Sequence, residues 1–483
     1  MISFSNTFEE LPEIFYEKVK PTPVSNPKVI TFNLKLAEEL GIPKLDSKTT
    51  TNIFSGNEIL KDSSLISFRY AGHQFGNFVN QLGDGRAVLL GEINSIKKER
   101  LDIQLKGSGI TPFSRQGDGR SALGPVIREY IISEAMFHLG IPTTRALCAV
   151  DTGEKVMREA ILPGGILTRV ARSHIRIGTF EYFASREDWE NVEKLLNYCI
   201  TRHYPEIESS NNKALEFLRS VASRQSDLVS DWMGIGFIHG VMNTDNVSIP
   251  GETLDYGPCA FMDSYDPMKV FSSIDHQGRY AFGNQPQICL WNMYCLAGCL
   301  MKYIDRDMNK AKEKVEGVMQ EFVENINTKI LQILCMKIGL QSGIKKNEQS
   351  IKDLLNLMKA CKADYTQTFS ALINYLEFQD SKAFFDIFKK DKVQKDWLKR
   401  WEELIHKNDK SLALKKMKSI NPIYIPRNHL IEEAIELANE EDFSLFYELN
   451  EVLESPFTFQ KDKNRFLEAP NENQIVKQTF CGT

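Results

Sequence analysis

Glycine is distributed unevenly along the 483-residue chain, and this distribution limits the folds that the chain can adopt. Glycines are frequent from Gly72 to Gly124 and from Gly164 to Gly257, and they become sparse after residue 300. Because glycine permits tight turns and close approach of the backbone to ligands, we expect binding loops in the glycine-rich part. The later part carries Lys/Glu-rich amphipathic patterns over 307–340 and 348–360, which predict helices.

Strand and helix signals follow one another in the glycine-rich part. The apolar runs Ala87–Glu92 and Leu101–Lys106 flank a charged stretch and predict a β-hairpin. A helix is predicted from Pro125 to just before Gly140, since an early proline and a following glycine are typical of helix ends. Strands, then a helix, then a mostly helical remainder predict an α+β fold with a small α+β lobe on a larger helical lobe.

Composition excludes several functional classes. The chain has 59 basic and 64 acidic residues, and a net charge of −5 argues against a nucleic-acid binder. No stretch approaches the roughly 18 apolar residues of a membrane helix, and the first thirty residues resemble neither a secretory nor a transit signal. The nine cysteines lack the spacing of a disulfide framework. We therefore expect a cytoplasmic protein without nucleic-acid or membrane partners.

Two glycine turns lie beside cations. Gly83-Asp84-Gly85-Arg86 precedes the first strand of the hairpin, Lys106-Gly107-Ser108-Gly109 closes the second, and Gly117–Arg120 repeats the GDGR motif. Glycine amides can approach phosphate oxygens, and a neighbouring lysine or arginine then neutralises their charge. Each motif is also a common turn sequence, so an ordinary turn stays an alternative interpretation.

The order of the charged residues is that of protein kinases. A carboxylate at Glu129, on the predicted helix, can pair with Lys106 and hold its ammonium toward phosphate; a surface ion pair is the alternative. Farther along, the residue pattern of 236–247 (GFIHGVMNTDNV) is similar to that of a kinase catalytic loop. The tripeptide Asp255-Tyr256-Gly257 follows it.

The catalytic loop departs from the kinase pattern at one position. Val241 stands where kinases carry the catalytic aspartate, and valine cannot accept a proton. Asp245 can act as the base from a displaced position, or it can simply cap the loop. Asn246 and Asp255 offer hard oxygen ligands, which suit Mg²⁺.

Three further groups have ordinary explanations from the residues alone. Arg169, Arg172 and Arg176 lie within eight residues and indicate either a polyphosphate site or, favoured by composition, a solvated basic face. Cys295 and the neighbouring cysteines lie among apolar residues. We therefore expect them to be buried side chains of the core rather than metal ligands. His73 has no evident acid partner in the sequence.

Together these motifs closely resemble the selenoprotein O family of kinase-like protein adenylyltransferases. The resemblance covers roughly residues 66–300. Its segments are RYAGHQFGNF (69–78), QLGDGRA (81–87), QLKGSGITPFSRQGDGRSALG (104–124), IREYIISEAM (127–136), LTRVARSHIRIGTFEYF (167–183), GFIHGVMNTDN (236–246), LDYGPCAFMD (254–263) and GRYAFGNQP (278–286).

The resemblance implies a bilobal protein-kinase-like fold that binds ATP in an inverted orientation and transfers AMP to Ser, Thr or Tyr hydroxyls of proteins. It implies Asp245 as the general base, Asn246 and Asp255 as Mg²⁺ ligands, and Glu129 as the partner of Lys106. The nucleotide contacts that it implies are Gly83, Gly85, Arg86, Lys106, Asp118, Gly119, Arg169 and Arg176.

The resemblance also gives a domain division. We expect an α+β nucleotide-binding lobe over 1–185, a lobe with the catalytic and metal-binding loops over 186–340, and a helical extension over 341–483. Polar stretches at 206–212 and 341–350 predict surface loops or weak domain boundaries.

Other outcomes stay open at this stage. A conventional kinase, a nucleotide-binding pseudokinase scaffold, and UMP transfer with Mn²⁺ are alternatives to AMP transfer. Many family members end in a Cys-x-x-Cys pair or its selenocysteine version, whereas this chain ends with Cys481 alone, which puts redox control by a local pair in doubt. No sequence pattern specifies the acceptor protein or an oligomeric state.

Overall fold

The structure is a computed structural model that describes residues 2–388, 391–406 and 409–480. These residues form strands and helices in one chain. The strands are β1 (Tyr16–Lys18), β2 (Lys28–Phe32), β3 (Ile66–Phe68), β4 (Gly72–Gln74), β5 (Asn77–Val79), β6 (Ala87–Asn94), β7 (Arg100–Lys106), β8 (Ser121–Ala122), β9 (Arg145–Met157), β10 (Ile161–Ala171), β11 (Phe237–Ile238) and β12 (Ala260–Phe261).

Helices dominate after β10. The α-helices are α1 (Leu34–Glu39), α2 (Ser47–Phe54), α3 (Leu123–His138), α4 (Ile177–Ala184), α5 (Trp189–His203), α6 (Lys213–Ile235), α7 (Gln285–Ile304), α8 (Met308–Lys337), α9 (Lys345–Cys361), α10 (Tyr365–Phe378), α11 (Lys382–Phe388), α12 (Lys392–His406), α13 (Lys410–Ile420), α14 (Asn428–Asn439) and α15 (Ser444–Leu453). The predicted α+β class, with a helical C-terminal region, is confirmed.

The large sheet is antiparallel and runs β1-β3-β6-β7-β10-β9-β2, with β8 paired to β10. The predicted hairpin is β6 and β7, and Ala87 pairs with Lys106 at its open end. Side chains alternate along β7: Ile103 and Leu105 pack into a core with α1 and α2. Gln104 and Lys106 consequently point to the other face of the sheet.

Helix α3 covers that other face, packing on β9 and β10. It begins at Leu123, carries Pro125 in its first turn and is followed by Gly140 with φ of +80°. Glycine is favoured there because a residue with a Cβ is strained at positive φ. The predicted helix is therefore confirmed, and it carries Glu129 toward the strands.

The helical predictions for the later part are confirmed at α8 and α9, but one predicted loop is wrong in part. The stretch 341–350 is helical from Lys345 onward. Its polar residues Asn347 and Ser350 are buried: Asn347 donates to the Gln341 carbonyl, and the Ser350 carbonyl accepts from Trp397. The polar composition of this stretch therefore did not indicate that one face of the helix is packed against the rest of the protein. The loop at 206–212 is confirmed, because only a 3₁₀ turn at Pro205–Ile207 precedes α6.

Helices α14 and α15 pack against α3, while α9 to α13 surround a second apolar core. The domain boundaries at 185/186 and 340/341 stay predictions. Within the described residues, no helix is both long and apolar enough to cross a bilayer.

Candidate active site

Lys106, at the end of β7, lies between two carboxylates. Its Nζ donates to Glu129 Oε2 on α3 at 2.6 Å and to Asp255 Oδ1 at 3.0 Å. Glu129 is buried, and Asp255 lies in the loop before β12. The structure thus brings together the strand lysine, the helix glutamate and the loop aspartate that the sequence singled out. Lys106 and Asp255 are 149 residues apart in the sequence.

Two arginines complete this cluster. Arg169 Nη1 donates to Asp255 Oδ1 at 2.6 Å, and Arg176 Nη1 donates to Asp255 Oδ2 at 3.0 Å. Both are buried, with 2% and 3% of their surfaces exposed, whereas Arg172 is exposed. The solvated basic face that composition favoured is therefore wrong for Arg169 and Arg176. Arg169 is on β10 and Arg176 immediately precedes α4, and both turn inward toward Asp255.

Asp255 is the hub of the cluster. Burial by itself would raise its pKa, but Lys106, Arg176 and Arg169 outweigh that effect and hold the pKa of Asp255 well below its usual range. The carboxylate is therefore ionised and saturated with cationic donors. Donors that converge on one carboxylate in this way are also arranged to bind the oxygens of a phosphate chain.

Asp245 lies next to the hub in a different environment. It is in the 3₁₀ turn Thr244–Asn246, and its backbone carbonyl accepts from Arg176 Nη1 at 2.8 Å. Oδ2 accepts from Gln74 Nε2 at 3.3 Å, and Oδ1 is buried with no hydrogen-bond partner among the described residues. Burial raises the pKa of Asp245 to about 6, although Arg176 opposes the shift.

Asn246 is oriented by the same turn. Its Nδ2 donates to the Val241 carbonyl at 3.1 Å, which directs the amide nitrogen back into the loop, so Oδ1 would be the atom that faces a metal ion. Val241 is 8% exposed and apolar, so it offers no group for proton transfer. With Asp255, Asn246 supplies the oxygen donors that Mg²⁺ prefers, and the residues present fit the predicted metal.

The glycine motifs lie in closely packed turns, the first against Phe113 and the third against Gly109 of the second. A Cβ at Gly83, where φ is +145°, would lie 2.3 Å from the Phe113 ring, and one at Gly85 would lie 2.9 Å from the Phe113 carbonyl oxygen. Arg86 follows them, and its carbonyl accepts from the Gly107 amide. A Cβ at Gly119 would lie 2.1 Å from the Gly109 carbonyl oxygen. Only glycine fits these contacts between the motifs.

Asp118 is a predicted site residue that pairs with a residue outside the cluster. Its carboxylate is partly exposed and accepts from Arg158 at 2.8 and 3.0 Å. Its position in the Gly117–Arg120 turn nevertheless keeps it on the segment that packs against Gly109.

His73 does have an acid partner, which corrects the sequence interpretation. Its Nδ1 lies 2.6 Å from Glu181 Oε1, and Thr244 donates to the other oxygen of Glu181. Cys295 lies within 4.8 Å of this pair, so it is not an isolated thiol. Both Glu181 oxygens already have partners, however, and hydrogen bonds explain the group without a metal ion.

Sequence reasoning missed three contacts that shape the cluster. Gln74 bonds Asp245, Gln104 accepts from Arg169 Nη2, and Asp84 lies 3.4 Å from Arg176 Nη2. The strand period of two gives a signal for Gln104, since it shares a face with Lys106 two positions later. Nothing in the sequence links Gln74 to a residue 171 positions away.

With this geometry established, comparison with known proteins is decisive. The family model described as "Protein adenylyltransferase SelO" matches residues 1–454. The chain belongs to the SelO family. The family resemblance drawn from the sequence is therefore confirmed, and it extends well beyond the segment 66–300 on which it rested.

Curated relatives of the SelO chain match along its full length. The protein nucleotidyltransferase YdiU of Maridesulfovibrio salexigens is 49% identical, over 100% of this chain and 99% of its own. Proteins of the same name from Rhodopseudomonas palustris strain BisB5 and Agrobacterium fabrum are 50% and 49% identical, each over at least 99% of both chains. The predicted enzyme class, nucleotidyltransferase, is confirmed.

Proposed function

We propose that this SelO protein transfers AMP from ATP to Ser, Thr or Tyr hydroxyls of target proteins, with Mg²⁺ and with release of pyrophosphate. The observation that carries the proposal is the convergence of Lys106, Arg169 and Arg176 on the Asp255 carboxylate. When a triphosphate enters this cluster, its anionic oxygens can take the place of the Asp255 carboxylate oxygens as partners of the three cations. The cationic side chains therefore need little rearrangement.

We further propose that the chain has a protein-kinase-like fold of two lobes. The Lys106–Glu129 ion pair and the loop that carries Asp245, Asn246 and Asp255 support it, since kinases use these parts in this order. ATP bound in an inverted orientation would present its α-phosphate, rather than its γ-phosphate, to the acceptor.

Mg²⁺ would be held by Asn246 and Asp255, and it would supply charge neutralisation for the phosphates. If Asp255 held the metal, its hydrogen bonds to Lys106 and the two arginines would be given up, and these cations would be available to phosphate oxygens. Glu129 remains beside Lys106 and Arg169 and keeps their side chains in place.

Asp245 would act as the general base. Its buried Oδ1 has no partner among the residues described, so it can accept the proton of the acceptor hydroxyl. The hydroxyl oxygen then bonds to the α-phosphorus, and the bond from that phosphorus to the bridging β-phosphate oxygen breaks. Pyrophosphate leaves with the electron pair, and AMP stays on the protein.

Labelled ATP tests this reaction against conventional phosphorylation. The protein is incubated with Mg²⁺, a cell lysate and ATP labelled at either the α or the γ position, and covalent label on protein is counted. We expect label from the α position only. Label from the γ position only would overturn the proposal in favour of a kinase.

A matched pair of variants tests the scaffold alternative. Asp255→Ala is expected to abolish α-label transfer, while Asp305→Ala, which removes a surface carboxylate paired with Lys314, is expected to retain it. Full transfer by folded Asp255→Ala would contradict the assigned site.

The nucleotide itself needs a separate comparison, because the family is described by adenylyl transfer and the relatives by nucleotidyl transfer. Competition between ATP with Mg²⁺ and UTP with Mn²⁺ for the same acceptor measures the preference. We expect ATP with Mg²⁺ to give the faster transfer.

A further inference from the structure

Asp84, in the first GDGR motif, is a buried carboxylate directly behind the arginines of the cluster. It is 3% exposed. Oδ1 accepts from the Tyr70 hydroxyl at 3.2 Å and lies 3.4 Å from Arg176 Nη2. Oδ2 accepts from Gln104 Nε2 at 2.8 Å and from the Phe68 amide at 3.4 Å. A buried anion with this many donors is held in one orientation.

Gln104 extends the reach of Asp84 to the second arginine. The Gln104 amide donates to Asp84 through Nε2, and its Oε1 accepts from Arg169 Nη2. An amide can rotate and exchange its oxygen and nitrogen. Because Asp84 accepts only, it selects the rotamer in which the Gln104 oxygen faces Arg169.

The two guanidiniums therefore share one pattern. In both, Nη1 donates to Asp255, while Nη2 is held from behind, in Arg176 by Asp84 and in Arg169 by Gln104. The Nε atoms of both are buried and have no partner among the residues described. The Nη2 contacts consequently have a large share in fixing the plane of each guanidinium.

We propose that Asp84 is a positioning residue that fixes Arg169 and Arg176 from behind, so that their Nη1 atoms face the phosphate chain of the nucleotide. This inference rests on the proposed function. If Asp255 held Mg²⁺, Asp84 would still supply a counter-charge to Arg176, and the plane of each guanidinium would be kept while the phosphates bind.

Nucleotide affinity tests this role. ATP with Mg²⁺ is titrated into the full-length chain by calorimetry, and unfolding midpoints are measured in parallel. Asp84→Asn is expected to raise the Kd roughly tenfold or more, the usual size of a lost charged hydrogen bond. Gln104→Leu, which loses the contact with Arg169 but keeps Asp84 beside Arg176, is expected to raise the Kd by a smaller factor.

The matched control is Glu92→Gln on β6. Glu92 is 0% exposed and pairs with Arg100 and Arg202, so its loss disturbs a buried ion pair away from Arg169 and Arg176. It should lower the unfolding midpoint and leave the Kd within twofold of wild type. Equal weakening of ATP binding by Glu92→Gln and Asp84→Asn would assign Asp84 a merely structural role and overturn the proposal.

A double-mutant cycle adds a readout that stability alone does not move. If Asp84 acts on Arg169 through Gln104, the effects of Asp84→Asn and Gln104→Leu on ATP affinity will be less than additive. Strictly additive effects, or an unchanged Kd in folded Asp84→Asn, would overturn the proposal. If Asp84→Asn does not fold, the test rests on Gln104→Leu, and an unchanged Kd for ATP in that variant would overturn the proposal. Absence of ATP binding by the wild-type chain would instead contradict the proposed function.

Discussion

At the scale of single residues, two aspartates ten positions apart have opposite electrostatic environments. Asp255 is surrounded by three cations that lower its pKa, while burial raises the pKa of Asp245 to about 6. The same residue type can thus serve as a permanently ionised ligand in one place and as a proton acceptor in the other. Neither role can be assigned from the residue identity alone.

Lys106 gives a residue-scale prediction. Lys106→Met keeps most of the side-chain volume, and Arg169 still pairs with Glu129 and Asp255, so the unfolding midpoint should change little. Transfer of the α label should fall by about 100-fold, as expected for loss of one donor to developing phosphate charge. Lys194→Met, which removes a surface pair with Glu190, serves as the control and should match wild type. A large loss of stability with unchanged transfer per folded molecule would contradict this assignment.

Several residue roles could be predicted from the sequence because they follow from spacing within one element or from a known motif. The Lys106–Glu129 pair and the inward face of β7 are of this kind. The burial of Arg169 and Arg176 could not be predicted from composition, since counting cations gives no information on which of them turn inward; only the family resemblance set these two apart from Arg172. Asp84 and Gln74 act across gaps of 92 and 171 residues, which only the assembled fold brings together.

At the scale of elements, the hairpin of β4 and β5 lies against the turn Thr244–Asn246, which carries Asp245. Its backbone approaches so closely that a Cβ on Gly72 would lie 2.7 Å from Asp245 Oδ1. Next to it, the His73 amide donates to Thr244 Oγ1 at 2.7 Å, and the Phe75 amide donates to Asn243 Oδ1 at 3.0 Å. The hairpin therefore fixes the position of the turn.

Gly72→Ala tests that contact. The added methyl group would displace the Asp245 carboxylate, so we expect AMP transfer to fall at least tenfold, in line with the sensitivity of catalysis to small displacements, about 100-fold for 1 Å. ATP affinity should stay within twofold. Gly317→Ala, at an exposed position of α8 with no atom within 4 Å of the new Cβ, is the control and should be as active as wild type. Normal transfer by Gly72→Ala would contradict the close approach.

The last residue of α8 gives a pH-dependent prediction. Lys337 is buried, with its ammonium 4.1 Å from the Phe369 ring centroid and no carboxylate within 4 Å among the described residues. Burial lowers its pKa to about 7 from the usual 10.5. The unfolded chain therefore binds more protons between pH 7 and 10.5, and the lysine costs most stability at the acid end of that window.

Lys337→Met should accordingly stabilise the protein at pH 7, and its advantage over wild type should shrink as the pH rises to 9. Chemical denaturation of both proteins across this range measures the difference. An advantage that is constant with pH would show that Lys337 does not titrate in the folded chain.

At the scale of the whole molecule, the helical C-terminal part is joined to the preceding part of the chain by ionic contacts of Arg427. Arg427, 1% exposed, donates to Asp263 at 2.6 Å and to Asp364 at 2.9 Å. Asp263 follows β12, and Asp364 caps α10, so one guanidinium connects three segments of the chain. The C-terminal part is thus integral to the fold around the site.

Arg427→Met is expected to lower the free energy of unfolding by about 3–5 kcal/mol, because it leaves the buried Asp364 and the partly buried Asp263 without their cation. Arg465→Met removes an exposed pair with Glu433 and should cost less than about 1 kcal/mol. Denaturant titration of the two variants compares them directly, and equal costs would contradict the integrating role of Arg427.

Cys481, for which the sequence puts redox control by a local pair in doubt, lies outside the described residues. The fold class and the helices at α3, α8 and α9 could be predicted because hydrophobic periodicity is a local signal. The return of α14 and α15 onto α3 could not, since it depends on contacts between segments some 300 residues apart, such as Arg128 with Glu432.

The central claim, AMP transfer to protein hydroxyls, is tested most directly by mass spectrometry of the acceptor side chains. Lysate proteins are incubated with ATP, Mg²⁺ and either the wild-type chain or Asp255→Ala, and modified peptides are sequenced. We predict AMP on Ser, Thr or Tyr side chains with the wild-type protein and none with Asp255→Ala. Phosphate in place of AMP, or AMP at equal levels with both proteins, would contradict the account.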